Sequence, residues 1–219
     1  PLVGQRTDMH QLARPPAPGC LSNYQHGRDN WGRVTPADKT KIWASLNVMQ
    51  GNRCAYCECH IRTEPDSHHA HIEHFRQRSR HPQGTFDWNN LFGSCNRPDS
   101  CGKHKDGHAY QPQDLIKADQ EDPEYYLRFL SDGQVAPADN LTEQERHRAE
   151  ETIRIFNLNG SLRQIRETYV MGYRHTAEEF LALADEFDED DWRPLLEQEL
   201  KAIAGQAFET AIRHVLQID

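Results

Sequence analysis

The chain has 219 residues, 36% of them hydrophobic and 27% charged, with a formal net charge of −9 and a mean hydropathy of −0.90. That length can bury the core of one or two domains, and the spread of aromatic residues excludes a wholly solvated, disordered chain. No apolar run approaches the roughly 18 residues of a membrane span and no secretory signal opens the sequence, so a cytoplasmic address without a membrane partner is expected.

Residues 1–50 read as an N-terminal arm and one helix. Residues 1–8 (PLVGQRTD) fit either a cloning remnant ahead of a start at Met9 or native sequence. A Pro-rich stretch, RPPAPG from Arg14, gives way to a helix over 35–50: Thr35 is a capping residue, Pro36 suits the first helical position, and Ile42, Leu46 and Met49 recur at helical steps. This stretch carries 6 Lys/Arg against 3 Asp/Glu.

Residues 51–112 are weakly periodic and hold 8 of the 13 histidines and five of the six cysteines. Cys54-Ala-Tyr-Cys57 is a CxxC, and Cys95 with Cys101 forms a second pair. Without an export signal, such cysteines point to metal rather than disulfides. Two pairs suit a tetrahedral zinc ion, because four thiolates satisfy the metal and leave no position for chemistry; the site is expected to be structural. The second spacing is loose and Cys59 competes as a ligand. A redox CxxC or unligated buried thiols are the alternatives, and Cys20 stands alone as a buried spectator.

Between the pairs runs His68-His69-Ala70-His71-Ile72-Glu73-His74-Phe75. Neither HExxH nor HxxEH is present, which excludes two zinc-protease signatures. In an extended segment residues 71 and 73 share one face while 72 and 74 share the other, so Ile72 is expected in the core and a bend must bring Glu73 and His74 together. A carboxylate that holds a hard cation beside a histidine that takes a proton is hydrolytic chemistry; a solvated histidine loop is the bland alternative.

Residues 113–219 read as helical, with 11 Lys/Arg against 24 Asp/Glu. Thr142/Glu145 and Ser161/Gln164 both fit a capping box, and Asn159-Gly160 between them is a stop signal. Three buried stripes are expected: Ile165, Tyr169, Tyr173, Phe180, Leu183 and Phe187; then Leu195, Leu196, Leu200 and Ile203; then Phe208, Ile212 and Val215. The acidic run 185–191 reads as a helix end and loop. So much negative charge suits solvent or a basic partner, not a polyanion.

The order CxxC, Glu73-His74, Asp87-Trp88-Asn89-Asn90-Leu91-Phe92-Gly93-Ser94-Cys95-Asn96 and Cys101-Gly102-Lys103-His104-Lys105 resembles the HNH endonuclease family. The resemblance implies an α+β fold: a zinc-stapled ββα-metal core with an N-terminal helix and a larger C-terminal helical region. It implies that Glu73 is a ligand of a catalytic Mg²⁺ or Mn²⁺, His74 the general base through Nδ1 or Nε2, and Asn89 or Asn90 the asparagine that steadies the base-bearing loop. His104 matches the last metal ligand, with Asn96 as its rival, and Cys54, Cys57, Cys95 and Cys101 match the zinc ligands. Arg76, Arg78, Arg80 and Lys105 are placed to hold a nucleic-acid backbone, although the arginines equally fit a solvated stretch.

The Pro-rich start, Leu21-Ser-Asn-Tyr24, Trp31, HIEHF, DWNNLFGSC, CGKHKD, Phe129-Leu-Ser-Asp-Gly133 and Phe156-Asn-Leu-Asn159 together resemble the HNH subunits of Septu-type anti-phage systems, also found beside retrons. Gln77 stands where that group usually has proline. The likeness implies an effector nuclease acting on nucleic acid, with DNA favoured over RNA. It also implies an SMC/ABC-like ATPase partner docking on residues 113–219 and, in retron versions, a reverse transcriptase with its RNA–DNA product. The competing readings are a nuclease for structured RNA such as tRNA and a non-catalytic zinc-ribbon adapter.

Overall fold

The computed structural model describes residues 11–63 and 68–217; the question of residues 1–8 and Met9 lies outside them. The fold is mixed: helices surround two small antiparallel sheets of two strands each. Helix α1 spans Pro36–Gln50, strand β1 Ala70–His74, strand β2 Leu91–Cys95 and helix α2 Cys101–Asp106. Next come α3 (Pro123–Tyr126), β3 (Leu127–Phe129), β4 (Val135–Pro137), α4 (Glu143–Ile155), α5 (Ser161–Met171), α6 (Arg174–Glu186), α7 (Glu189–Ala202) and α8 (Glu209–Leu216). No helix among the described residues is long and apolar enough to cross a membrane.

Local signals place α1. The Thr35 hydroxyl accepts from the Asp38 amide at 3.1 Å, and Gly51 closes the helix with a left-handed φ of 58°, which only glycine adopts without cost. Ile42, Leu46 and Met49 are buried against β2. The Gln50 side chain works like a short strand there: its Oε1 accepts from the Gly93 amide at 2.7 Å and its Nε2 donates to the Gly93 carbonyl at 2.9 Å. Gly93 must lack a side chain, since a Cβ would lie 2.7 Å from the Trp43 ring.

The arm that precedes α1 wraps the hairpin. Leu12 donates its amide to Ala118, Arg14 bonds Asp119 and the carbonyls of Trp88 and Leu91, and the Trp88 indole donates to Pro15. The arm thereby delivers Trp31 to the hairpin, where its ring meets the His74 imidazole edge-on at 4.6 Å.

The C-terminal helices are built into the same core. Glu58 is buried and accepts from the Thr210 amide at 3.1 Å and the Thr210 hydroxyl at 2.6 Å, so its carboxylate meets the N-terminal first turn of α8, where the helix dipole favours negative charge. Arg53 pairs with Glu209 at 2.6 Å, and the Cys101 amide donates to Phe156 at 2.9 Å. One continuous apolar cluster runs from Cys20 to Leu216, with no break near residue 112.

Two expectations for these helices need correction. Thr142 and Glu145 form the capping box, but Ser161 does not cap: α5 begins at Ser161 itself behind Gly160, with no side-chain cap. Asn159 is engaged instead with both backbone polar groups of Val135. The apolar stripes are also only partly covered. Leu162, Arg166 and Val170 are the buried residues of α5, Phe180 is the buried residue of α6, and α7 buries none. Tyr169, Phe187 and Leu195 are exposed. The acidic run does fall at the end of α6, the connecting residues and the start of α7.

Candidate functional site

Two clusters share β1, β2 and α2. At one end, the knuckle that follows α1 brings Cys54 and Cys57 beside Cys95, the last residue of β2, and Cys101, the first residue of α2. The Cys54 amide bonds the Cys59 carbonyl at 2.9 Å, which folds the knuckle tightly. All four sulfurs are buried and lie within 4.8 Å of one another, Cys57 and Cys95 at 4.0 Å. A tetrahedral zinc with bonds of roughly 2.3 Å sets its sulfurs about 3.8 Å apart, so the cage fits such an ion after small adjustments. Hydrogen bonding from Cys101, partly opposed by Cys54, pulls the Cys95 thiol down to about 5. Cys59 is buried beside the cage but is not one of the four whose sulfurs converge. Cys20 is buried elsewhere, its thiol 3.7 Å from the Asp38 carbonyl.

At the other end, β1 pairs with β2 in the register Glu73↔Phe92 and His74↔Leu91. A cleft of about 660 Å³ opens here, lined by Trp31, His71, Ile72, Glu73, His74, Gln77, Arg78, Ser79, Lys103 and Asp106. Glu73 and His74 thus face one space, as the end of the strand allows. Ile72, expected in the core, is only half-buried and lines the same cleft. None of the lining residues comes from the acidic half.

The Glu73 carboxylate is buried and both its oxygens are engaged. Oε2 accepts from His71 Nε2 at 2.7 Å and Oε1 accepts from Lys105 Nζ at 2.8 Å. Burial alone would raise its pKa, but the His71 hydrogen bond and the Lys105 charge outweigh burial and hold it below the usual carboxylate range. Gly102 backs onto this pair: a Cβ there would fall 2.4 Å from Oε2 and 2.8 Å from His71 Nε2. His71 Nδ1 is buried without a hydrogen-bond partner. A carboxylate oxygen beside an imidazole nitrogen on a cleft wall is a donor set that suits a small divalent ion.

His74 is 5% exposed. Its Nε2 lies 3.0 Å from the Thr85 carbonyl; since a carbonyl only accepts, Nε2 carries the proton and Nδ1 keeps its lone pair. Burial, partly offset by that carbonyl, lowers the imidazole to about 4, so the ring is neutral near pH 7. Asn90, not Asn89, takes the loop-holding position. Its Oδ1 accepts from the Arg76 amide at 2.7 Å, and its Nδ2 donates to the carbonyls of Arg76 and Gly84. Asn89 is exposed.

Several residues expected at this site lie elsewhere. His104 turns away from Glu73: its Nδ1 donates to the Ile155 carbonyl at 2.9 Å, and its ring stacks on His108 at 4.0 Å. The rival Asn96 donates to the His68 carbonyl at 2.9 Å, at the cage end of the hairpin. Lys105, expected on a backbone-holding surface, is completely buried and bonds Glu73, the His74 carbonyl, Asp106 and Tyr110. Arg76, Arg78 and Arg80 are exposed, and of the three only Arg78 lines the cleft. Gln77 makes contacts that the proline usual at this position in the related group could not. Its side chain donates to the Lys105 and Asp106 carbonyls at 3.2 and 3.0 Å, closing the C-terminal end of α2.

His71, Trp31 and Lys105 were not assigned these roles from sequence. The 71/73 alternation was the one signal available for His71; the other two arrive by long-range packing.

No family model matches the chain. It is 25% identical over 191 residues to the Septu protein PtuB of Bacillus thuringiensis, across 82% of this chain and 67% of that protein. That likeness supports a PtuB-like relationship for the chain, and the HNH attribution of its motifs is consistent with it.

Proposed function

We propose that the protein is a metal-dependent HNH endonuclease that hydrolyses phosphodiester bonds, and that it acts as the nuclease of an anti-phage defence system. In this reading β1, β2 and α2 are the ββα-metal core, stapled by zinc on Cys54, Cys57, Cys95 and Cys101. The observation that carries it is the fixed tautomer of His74, whose Nε2–H is committed to Thr85 and whose Nδ1 is free to accept a proton beside the Glu73 carboxylate.

His74 Nδ1 takes the proton of a water aimed at the phosphorus, and the neutral ring makes it ready to do so near pH 7. Asn90 holds the loop between His74 and Thr85, which keeps the carbonyl partner of Nε2 in place. Trp31 covers one side of the imidazole and limits its access to bulk water. Glu73 and His71 are the residues that would hold a Mg²⁺ or Mn²⁺, in place of the Glu73–His104 pair that the motif alignment implies. When bound, that ion supplies positive charge against the negative charge of the phosphoryl group. Arg78 and Lys103, both exposed on the cleft wall, contact the phosphate backbone without reading sequence.

The partner is an ATPase of the SMC/ABC-like type, docked on the acidic α6–α7 hairpin, where Leu181, Phe187 and Leu195 are exposed among carboxylates. DNA is the favoured substrate, and a retron reverse transcriptase with its RNA–DNA product is a further partner of this class. A nicking assay on plasmid DNA with and without Mg²⁺ or Mn²⁺ tests the activity. Cleavage that persists in EDTA, or in the His74→Ala protein, would rule the mechanism out. Charge reversal at Asp188, Asp190 and Asp191 tests the docking: unchanged co-purification of the ATPase would exclude this hairpin as its seat.

A further inference from the structure

Helix α2 treats the two oxygens of Glu73 differently. Beside Oε2 it presents Gly102, which has no side chain, and the oxygen shares the cleft wall with His71. Beside Oε1 it presents the Lys105 ammonium, at 2.8 Å. That ammonium cannot swing away into solvent. Lys105 is 0% exposed, and Nζ is also held by the His74 carbonyl at 3.1 Å, Asp106 Oδ1 at 2.9 Å and the Tyr110 hydroxyl at 3.3 Å. Tyr110 is itself tied down, donating to the Phe75 carbonyl and accepting from the Gln77 amide.

A fixed unit charge in a water-poor site repels any further cation brought to the same carboxylate, and the repulsion is far less screened than at a surface. One oxygen of the carboxylate is therefore already paired with a cation before a divalent ion arrives, which leaves that ion the Oε2 side, where it would replace the His71 hydrogen bond. From this asymmetry we infer that Lys105 is a positioning residue that confines a divalent ion to the Oε2–His71 side of Glu73 and holds its affinity in the free chain low. The same ammonium ties the ligand strand to the base, because one Nζ bonds both the Glu73 side chain and the His74 carbonyl. The inference rests on the reading of Glu73 and His71 as metal ligands.

The test is Mn²⁺ binding to the full-length, zinc-loaded chain, followed by electron paramagnetic resonance of free Mn²⁺, for wild type, Lys105→Met, Lys105→Gln, Lys105→Arg and Glu73→Gln. Zinc content and circular dichroism report whether each variant keeps its fold. Removing the charge is expected to tighten Mn²⁺ binding at least tenfold in Lys105→Met, and Lys105→Arg is expected to stay close to wild type. Lys105→Gln keeps a donor to Glu73 and gives the same answer if the methionine variant loses its zinc. A purely structural lysine predicts weaker binding in both uncharged variants. Unchanged or weaker binding there, with Glu73→Gln abolishing it, refutes the role of Lys105 and leaves the metal site standing. Equal binding by wild type and Glu73→Gln removes the metal site itself, and this inference with it.

Discussion

The two ends of the β1–β2 hairpin are built on opposite chemical principles. The cage end gathers four converging buried thiols, with Cys59 buried beside them, so an ion held there has soft donors all round and no free position. The cleft end sets a carboxylate and imidazoles on an open wall, backed by the buried Lys105 ammonium, where hard donors leave room for water and substrate. The six-residue helix α2 serves both: Cys101 belongs to the cage, while Gly102 and Lys105 face Glu73. One end can therefore be damaged through stability and the other through chemistry, and α2 is where the two kinds of damage meet.

The largest loss is expected at the cage. Cys101→Ser should release zinc and cost most of the stability of the fold, since structural zinc contributes on the order of 10 kcal/mol in small motifs. Elemental analysis and thermal melting would read this, and α8 should loosen too because Glu58 sits in the same knuckle. A folded, zinc-loaded Cys101→Ser chain would instead make Cys59 the fourth ligand.

At the cleft, His74→Ala should leave zinc content unchanged and lower nicking by roughly a hundred- to ten-thousandfold, the usual contribution of a general base. Retained activity would move the base elsewhere. Gly102→Ala probes the shared helix: the added methyl meets Glu73 Oε2, so a cost of about 1–3 kcal/mol and a weaker divalent-ion dependence should appear together. An effect on melting alone would separate α2 from the chemistry.

How far these sites were legible in the sequence follows from the range of the signals. The Thr35 and Thr142 hydroxyls cap their helices by bonding amides three residues on, and both were readable. The cysteine pairs were readable because ligand spacing is itself a pattern. Ser161 looked like a cap by the same rule, yet Gly160 turns the chain before it, and a tripeptide spacing carries no information about that turn. The 3.6-residue period found the helices of the acidic half but not which stripe is covered: Arg166 is fully buried in α5 while Tyr169 is exposed. His104 and Lys105 differ by one position on α2, about 100° around the helix axis. An alignment of motifs could not decide which of them faces Glu73.

The smallest effect is expected at the seam between the hairpin region and α4. Arg148 forks onto Glu121 with two bonds of 2.6 Å and also holds the Gln113 and Leu115 carbonyls. The Arg148 hydrogen bonds keep the Glu121 carboxyl below its usual range. A depressed carboxyl contributes stability above its unfolded pKa, about 4.3, and loses it as pH falls through the folded value. Arg148→Met should therefore unfold at a higher pH in an acid titration than the wild type. The partly exposed pair is screened, and its electrostatic share is about 1 kcal/mol or less. Coincident acid transitions would show that the seam is held by packing alone.

Gln50 has one further consequence. A two-stranded sheet has two open rims, and β2 would offer one of them to any extended peptide of matching length. The Gln50 amide occupies the donor and acceptor of Gly93, the middle residue of β2, and Ala55 adds its amide to the same carbonyl. The rim is thus closed halfway along by a side chain that cannot be extended into a further strand. With α1 packed in place, β2 carries its own plug against strand-by-strand self-association.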